Sequence, residues 1–214
     1  MRCATLIASF MLACSANLPA AYAETIAFDR DVVGIPPSDF DSWGTGEAGP
    51  GRWAVVFDDS VPGGHAFEQY RREPAQERAA LAIYKPFSGD NVEVTIRFKA
   101  ISGGLDQSAG IAVRLTTPND YYVARASAIA KDVRLYRVVK GKFDELARAH
   151  APITSRKWHA LSVRAEGHRL LVALDGQPLL GATDTTFALP GKVALWTKAD
   201  SVTRFDQLDI RPLH

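Results

Sequence analysis

Hydrophobic and polar positions alternate along most of this chain with a period of two. Val92, Val94, Ile96 and Phe98 are separated by Glu93, Thr95, Arg97 and Lys99. Such a repeat predicts a strand with one face in a core and the other in a different environment. The pattern returns at Ile111, Val113 and Leu115, at Val133 and Leu135, and at Leu161 and Val163. It recurs at Leu170, Val172 and Leu174, and again at Val193 and Leu195. Turn signals separate these runs. Pro118-Asn119-Asp120 divides two of them, Lys140-Gly141 joins residues 134–139 to 143–148, and Glu166-Gly167 joins 158–165 to 169–174. Asp175-Gly176 opens a further hairpin into residues 178–181, and Asp-Gly supplies the positive φ angles of a tight hairpin turn. Consecutive hairpins predict an antiparallel meander.

Helical signals are sparse. Residues 73–81 are rich in helix formers and suit either two helical turns or a loop leading into a strand at 80–84. Residues 34–51, rich in Gly, Pro, Ser and Asp, read as an ordered loop or rim. More than ten short strands exceed what one open sheet holds comfortably, so the expectation is an all-β, two-sheet antiparallel jelly-roll sandwich.

The first residues read as an export signal. Arg2 supplies a positive start, residues 5–13 are largely apolar, and Ala21-Tyr22-Ala23 fits a signal-peptidase site. The apolar run is shorter than the ~20 residues that span a bilayer. The expectation is a signal peptide at 1–23, a single sandwich domain at 24–214 and a periplasmic or extracellular location, with no transmembrane segment. Leu12-Ala13-Cys14 loosely resembles a lipoprotein site, the alternative being cleavage after Ala23. Cys3 and Cys14 are the only cysteines and both lie in the signal, which leaves the mature domain neither disulfide nor cysteine metal site. The 25 Lys and Arg oppose 24 Asp and Glu, and Arg2 falls in the signal. The balanced remainder gives no global reason to bind nucleic acid.

With the aliphatic positions in the core, the opposite faces carry Ala112 and Arg114; Tyr122, Ala124 and Ala126; Arg134 and Tyr136; Ser162 and Arg164; and Ala194, Trp196 and Lys198. Small side chains leave room, rings offer flat apolar platforms, and guanidiniums offer forked donors. Carbohydrate suits such a surface. The alternative is an ordinary solvated outer face. The candidate ligand-binding residues are Arg114, Tyr122, Arg134, Tyr136, Trp196 and Lys198.

The segments Ala109-Gly-Ile-Ala-Val-Arg114, Asn119-Asp-Tyr-Tyr-Val-Ala-Arg125 and Val133-Arg-Leu-Tyr-Arg-Val-Val139 carry a resemblance. So does the run from Gly191-Lys-Val-Ala-Leu-Trp-Thr-Lys-Ala-Asp-Ser to Asp206. Together they resemble bacterial secreted domains of the concanavalin A-like lectin/glucanase superfamily, near laminin-G-like domains and the 3-keto-disaccharide hydrolase group. The resemblance implies two curved sheets with a concave face that often binds carbohydrate. It does not fix an activity, because this architecture hosts lectins, hydrolases and structural modules.

Catalytic motifs are absent from the sequence. Retaining glycosidases need two carboxyl groups about 5–5.5 Å apart. Enzymes of the superfamily in glycoside hydrolase family 16 place them in Glu-x-Asp-x-x-Glu, which this chain lacks. Asp144 and Glu145 are adjacent, and Asp206 and Asp209 are three apart, so each pair is expected to split between faces. No histidines stand at metal-ligand spacing, and there is no Gly-x-Ser-x-Gly elbow. No catalytic residue and no cofactor is assigned. Asp29 and Asp206 are a candidate calcium pair where the terminal strands meet, the alternative being acids that cap turns. Three functions remain open: a glycan-binding module, a hydrolase of 3-keto-disaccharides, and a structural or protein-interaction domain of the cell envelope.

Overall fold

The computed structural model describes residues 23–46, 49–72 and 79–213. The expected signal peptide lies outside the described residues apart from Ala23, as does most of the 73–81 segment, of which Ala79, Ala80 and Leu81 begin a strand. Two antiparallel sheets face each other. The first runs β13 (Gln177–Thr183), β12 (Arg169–Leu174), β11 (Trp158–Glu166), β6 (Val92–Ser102), β15 (Val202–Pro212), β4 (His65–Gln69) and β3 (Trp53–Phe57). Its remaining strand, β1 (Glu24–Ala27), pairs with β15. The second runs β10 (Lys142–His150), β9 (Asp132–Val139), β8 (Asp120–Ser127), β7 (Ser108–Thr117), β14 (Gly191–Lys198), β5 (Ala79–Gly89) and β2 (Phe40–Thr45). Among the described residues a 3-10 turn at Pro62–Gly64 is the only helical segment. The expected meander is present as β7–β8–β9–β10, and β11–β12–β13 forms another.

The turns follow their chemistry. Lys140 and Gly141 have φ of 50° and 77°, and Asp175 and Gly176 have 50° and 77°, the paired positive angles of two-residue hairpins. The β11–β12 turn is Gly167-His168, one residue later than expected. Residues 40–45, expected within a loop, form the edge strand β2, whose Gly44 lies so close to Gly49 O that a Cβ would clash with it.

The core between the sheets holds Val92, Val94, Ile96 and Phe98 from β6, Leu161 and Val163 from β11, and Leu170, Val172 and Leu174 from β12. The second sheet supplies Ile111, Val113, Val133, Leu135, Val193 and Leu195. Parity therefore predicts these positions correctly. Leu115 departs from it. Arg114 sits at φ 50° where four residues of β7, Ala112 to Leu115, span three of β14, Lys192 to Ala194. This bulge reverses the phase of the strand and turns Leu115 to the outer face of the second sheet.

The bulge also redirects Arg114. Its side chain is buried and donates to Asp90 O at 2.8 Å, Phe187 O at 2.9 Å and Gly167 O at 2.6 Å. It clasps the β5–β6 turn, the β13–β14 connection and the β11–β12 turn at one end of the sandwich. Tyr122 and its neighbours Ala124 and Ala126 also depart from expectation, because they lie in the core. Tyr122 pairs with Val113 and its hydroxyl donates to Asp184 at 2.5 Å.

A second organising contact lies at the opposite end of β7. The Asp200 carboxylate accepts from Gly104 N at 2.6 Å, Leu105 N at 3.0 Å and Asp106 N at 3.1 Å. Burial works against its charge, but the backbone donors prevail and hold its pKa below the usual value. This collar positions Asp106 against the second sheet. Along one side, Val33 bridges Val55 in parallel, with Gly34 N bonded to Val55 O and Val55 N to Ile35 O.

Two stability predictions result. Arg114→Ala removes a buried side chain and its three hydrogen bonds to part-buried carbonyls, and is expected to destabilise by about 2–3 kcal/mol in denaturant unfolding. Arg114→Lys is expected to recover little, because an ammonium cannot reproduce the fork. For Asp200 the lowered folded pKa means a contribution fully present above its ordinary 3.8 and lost as pH falls below that value toward the folded pKa. Asp200→Asn is expected to lower stability near neutral pH and to flatten the acid limb of a stability-versus-pH curve; an unchanged limb would refute the role.

Candidate functional site

The outer face of the second sheet is curled inward on itself. Phe143 on β10 and Trp196 on β14 are four strand positions apart, ~19 Å on a flat sheet. Their ring centroids are nevertheless 6.2 Å apart. Tyr121 on β8 and Thr45 on β2 are also four positions apart, yet their hydroxyl oxygens are 2.6 Å from each other. Side-chain length alone does not bridge such spans, so the face is a concave trough.

Its floor is apolar: Leu81, Ile83, Ala112, Leu115, Val123, Val138 and Ala194 pack around Trp196 and Tyr121. Trp196 is 0 % exposed. Its ring lies over Gly110, where a Cβ would sit 3.0 Å from Cε3, and its Nε1 donates to the Tyr121 hydroxyl at 3.1 Å. Burial pushes the Tyr121 hydroxyl up to about 12 despite the hydrogen bonds with Thr45 and Trp196. Trp196 therefore lies on the expected face but serves as floor, with no ring surface to offer.

Above the floor, Phe143 gathers the polar groups. Tyr136 meets it edge-on at 5.8 Å, and the Lys198 ammonium lies 5.7 Å from its ring centre. Arg134 Nη1 reaches the Tyr136 hydroxyl at 3.5 Å. Of the six candidates, Arg134, Tyr136, Trp196 and Lys198 meet here, whereas Arg114 clasps loops at the sandwich end and Tyr122 is in the core. Ser162 and Arg164 also leave the group, since they lie on the outer face of the first sheet, where Arg164 pairs with Glu93 and Glu166.

Several trough residues were missed from the sequence. Arg125 pairs across with Arg134 and forms a forked ion pair with Asp106, at 2.7 and 3.0 Å. Asp106 also accepts from the Ser127 hydroxyl at 2.7 Å. Asp132 is 1 % exposed and binds Arg134 at 2.8 Å and Arg148 at 2.9 Å through Oδ2. Its Oδ1 has no hydrogen-bond partner and lies 3.7 Å from Arg125. Glu145 pairs with Arg134 at 3.1 Å. Burial works against the Arg134 charge, but its bond to Asp132, with Tyr136 close by, raises its pKa above the usual value. The available signal was Arg125 itself: a charge in phase with Tyr121 and Val123 marks those residues, and not Tyr122, as outward.

Asp144 and Glu145 split as expected, Asp144 bonding Arg137 and Glu145 bonding Arg134. Asp206 and Asp209 do not. A bulge between Phe205 and Gln207 turns both to the outer face of the first sheet, where Asp206 pairs with Arg97. Asp29 packs against Gly63. Among the described residues no three Asp, Glu, His or Cys side chains form a metal-binding group. Near Asp206, Asp58 binds Lys99, Arg204 and Ser60, and Trp158 Nε1 donates to Ser60 at 2.9 Å. Burial raises the Asp206 pKa, whereas at Asp58 the hydrogen bonds outweigh burial and lower it.

No protein-family model matches this chain, and no curated protein sequence matches it. Solved structures do. The laminarinase from Rhodothermus marinus superposes with a TM-score of 0.62 at 14% identity, covering 91% of this chain and 98% of that one. The carbohydrate-binding module CBM66 from Bacillus subtilis gives 0.60 at 20% identity, covering 73% and 88%. The β-glucanase of Bacillus licheniformis gives 0.57 at 10% identity, covering 91% and 99%. At these identities the likeness concerns the fold. With two antiparallel sheets in this order and one of them curled into a trough, the chain is a concanavalin A-like jelly-roll sandwich.

Proposed function

We propose that this is an exported glycan-binding module that takes neutral carbohydrate in the trough of the second sheet. The observation that carries this reading is the convergence of Arg134, Tyr136 and Lys198 around the Phe143 ring. Guanidinium, phenol and ammonium donors gather around one half-buried aromatic ring, which suits a ligand with hydroxyl rims and C–H faces. The fold neighbours include a protein named as a carbohydrate-binding module, which supports the reading by analogy. Export rests on the leader-like first residues.

Charge balance argues for a neutral ligand. Arg125, Arg134 and Arg148 are matched by Asp106, Asp132 and Glu145. Lys198 adds one cation, and no acid pairs with it among the described residues. The same ion pairs favour binding over hydrolysis. Each of the three carboxylates is held by an arginine at 2.7–3.1 Å, whereas a general acid in glycoside cleavage has to address the glycosidic oxygen.

Titration calorimetry against a panel of neutral and uronate-containing oligosaccharides tests this. Neutral chains are expected to bind with little dependence on ionic strength. Arg134→Ala and Lys198→Ala are each expected to weaken binding about tenfold or more, the value of a charge-assisted hydrogen bond. If the panel does not bind, or both variants bind like the parent, the reading fails.

A further inference from the structure

A pocket of about 470 Å³ opens where the second sheet's edge strand β2 meets the β7–β8 turn, away from the Arg134 cluster. Trp43, Gly44, Gly46, Pro50, Pro118 and Asn119 line it. We infer that this pocket is a second sugar subsite in which the Trp43 indole stacks on a neutral pyranose ring, so that the trough takes a chain of sugars rather than one residue. The inference rests on the glycan-binding reading and extends it to ligand length and to a further binding residue.

Four features support it. First, Trp43 is 50 % exposed. It pairs with Leu81, a floor residue, which places it on the concave side. The other indoles are committed: Trp53 and Trp196 are buried, and Trp158 on the first sheet is flanked by Arg97 at 5.5 Å and Lys99 at 4.8 Å. Second, the walls are low. Gly44 and Gly46 carry no side chain, so a flat ring can approach the indole. Third, Asn119 holds the pocket closed through Oδ1, which accepts from Gly46 N at 2.7 Å. Its amide nitrogen makes no hydrogen bond among the described residues and remains a donor for a hydroxyl.

The fourth is continuity with the trough. Thr45 Oγ1 lies 2.8 Å from Pro118 O and 2.6 Å from the Tyr121 hydroxyl, which in turn accepts from Trp196. Pocket wall and trough floor are thus one bonded unit. Trp43, Leu81, Trp196, Gly110, Arg125 and Arg134 form one cross-strand row over the second sheet. Trp43 and Arg134 end that row, five strand spacings apart, ~24 Å along the arc. The pocket shares no residue with the Arg134, Tyr136, Phe143 and Lys198 cluster, so a ligand that fills both has more than one sugar ring. Among the described residues no charged side chain lines the pocket, so the ring at Trp43 is neutral, and its C–H-rich face is the one that meets the indole.

Cello-, laminari- and fructo-oligosaccharides of increasing length are the probes, titrated into the parent chain and into Trp43→Ala, Trp43→Phe and Arg134→Ala. Affinity is expected to rise with chain length in the parent. Trp43→Ala is expected to lower the affinity of long chains about tenfold and to remove the length dependence, whereas Trp43→Phe keeps part of it. Tryptophan emission is expected to change on binding in the parent and not in Trp43→Phe, a readout that does not depend on the alanine variant folding well. Long chains that bind Trp43→Ala as tightly as the parent, while Arg134→Ala weakens them, would overturn the subsite and leave the glycan reading standing. A panel that binds none of the chains overturns both.

Discussion

The curl of the second sheet around Trp196 is the constraint on which the outer face depends. A flat sheet would leave Phe143, Tyr136 and Lys198 as separate solvated side chains. Three things permit the curl. Gly110 leaves space beneath the indole, the Tyr121 hydroxyl bonds both Trp196 and, four strand positions from its own, Thr45, and Phe143 closes over the ring edge. The molecule therefore has two apolar clusters, one between the sheets and one in the hollow of the second sheet. The hydrophobic effect that makes the sandwich also shapes the trough.

Sheet number and meander order were legible from the turns, and the interior of β6 and β11 because in those strands apolar and polar positions alternate cleanly. The site was only partly legible, and particular residues explain why. On β8 both faces are apolar, Tyr121 and Val123 outward and Tyr122 and Ala124 inward, so hydrophobicity could not assign the parity. On β7 the bulge at Arg114 reverses the phase within the strand, and a bulge has no hydropathy signature when the residue at it is an arginine. The same device at Asp206 undid the expected split of Asp206 and Asp209. The edge strand β2 escaped notice because Gly44 interrupts its pattern. Arg134, Tyr136 and Lys198 were found because β9 and β14 keep their phase throughout.

The ion pairs of the trough are held at buried carboxylates. Asp106 and Asp132 are almost wholly buried, and each is met by arginine. Burying charge is costly unless geometry and partners are right, and such clusters contribute more to fixing positions than to net stability. Here the fixed objects are the guanidiniums of Arg125 and Arg134. The collar of backbone amides around Asp200 fixes Asp106, Asp106 fixes Arg125, and a chain of contacts thus runs from the loop after β6 to the middle of the trough. On the first sheet the Arg164–Glu93 pair is more exposed and contributes little, whereas Asp58, buried between Lys99 and Arg204, ties β15 to β6.

The parallel bridge of Val33 to Val55 has a consequence for behaviour at high concentration. β3 ends the first sheet, and an uncovered terminal strand offers its amides and carbonyls to any passing chain. Gly34 and Ile35 already occupy both backbone groups of Val55. A visiting strand would have to displace this short segment before it could extend the ladder at that residue. In effect the chain supplies its own stopper against edge-to-edge polymerisation, where the flanking Val32, Ile35 and Phe57 side chains would otherwise make a sticky seam.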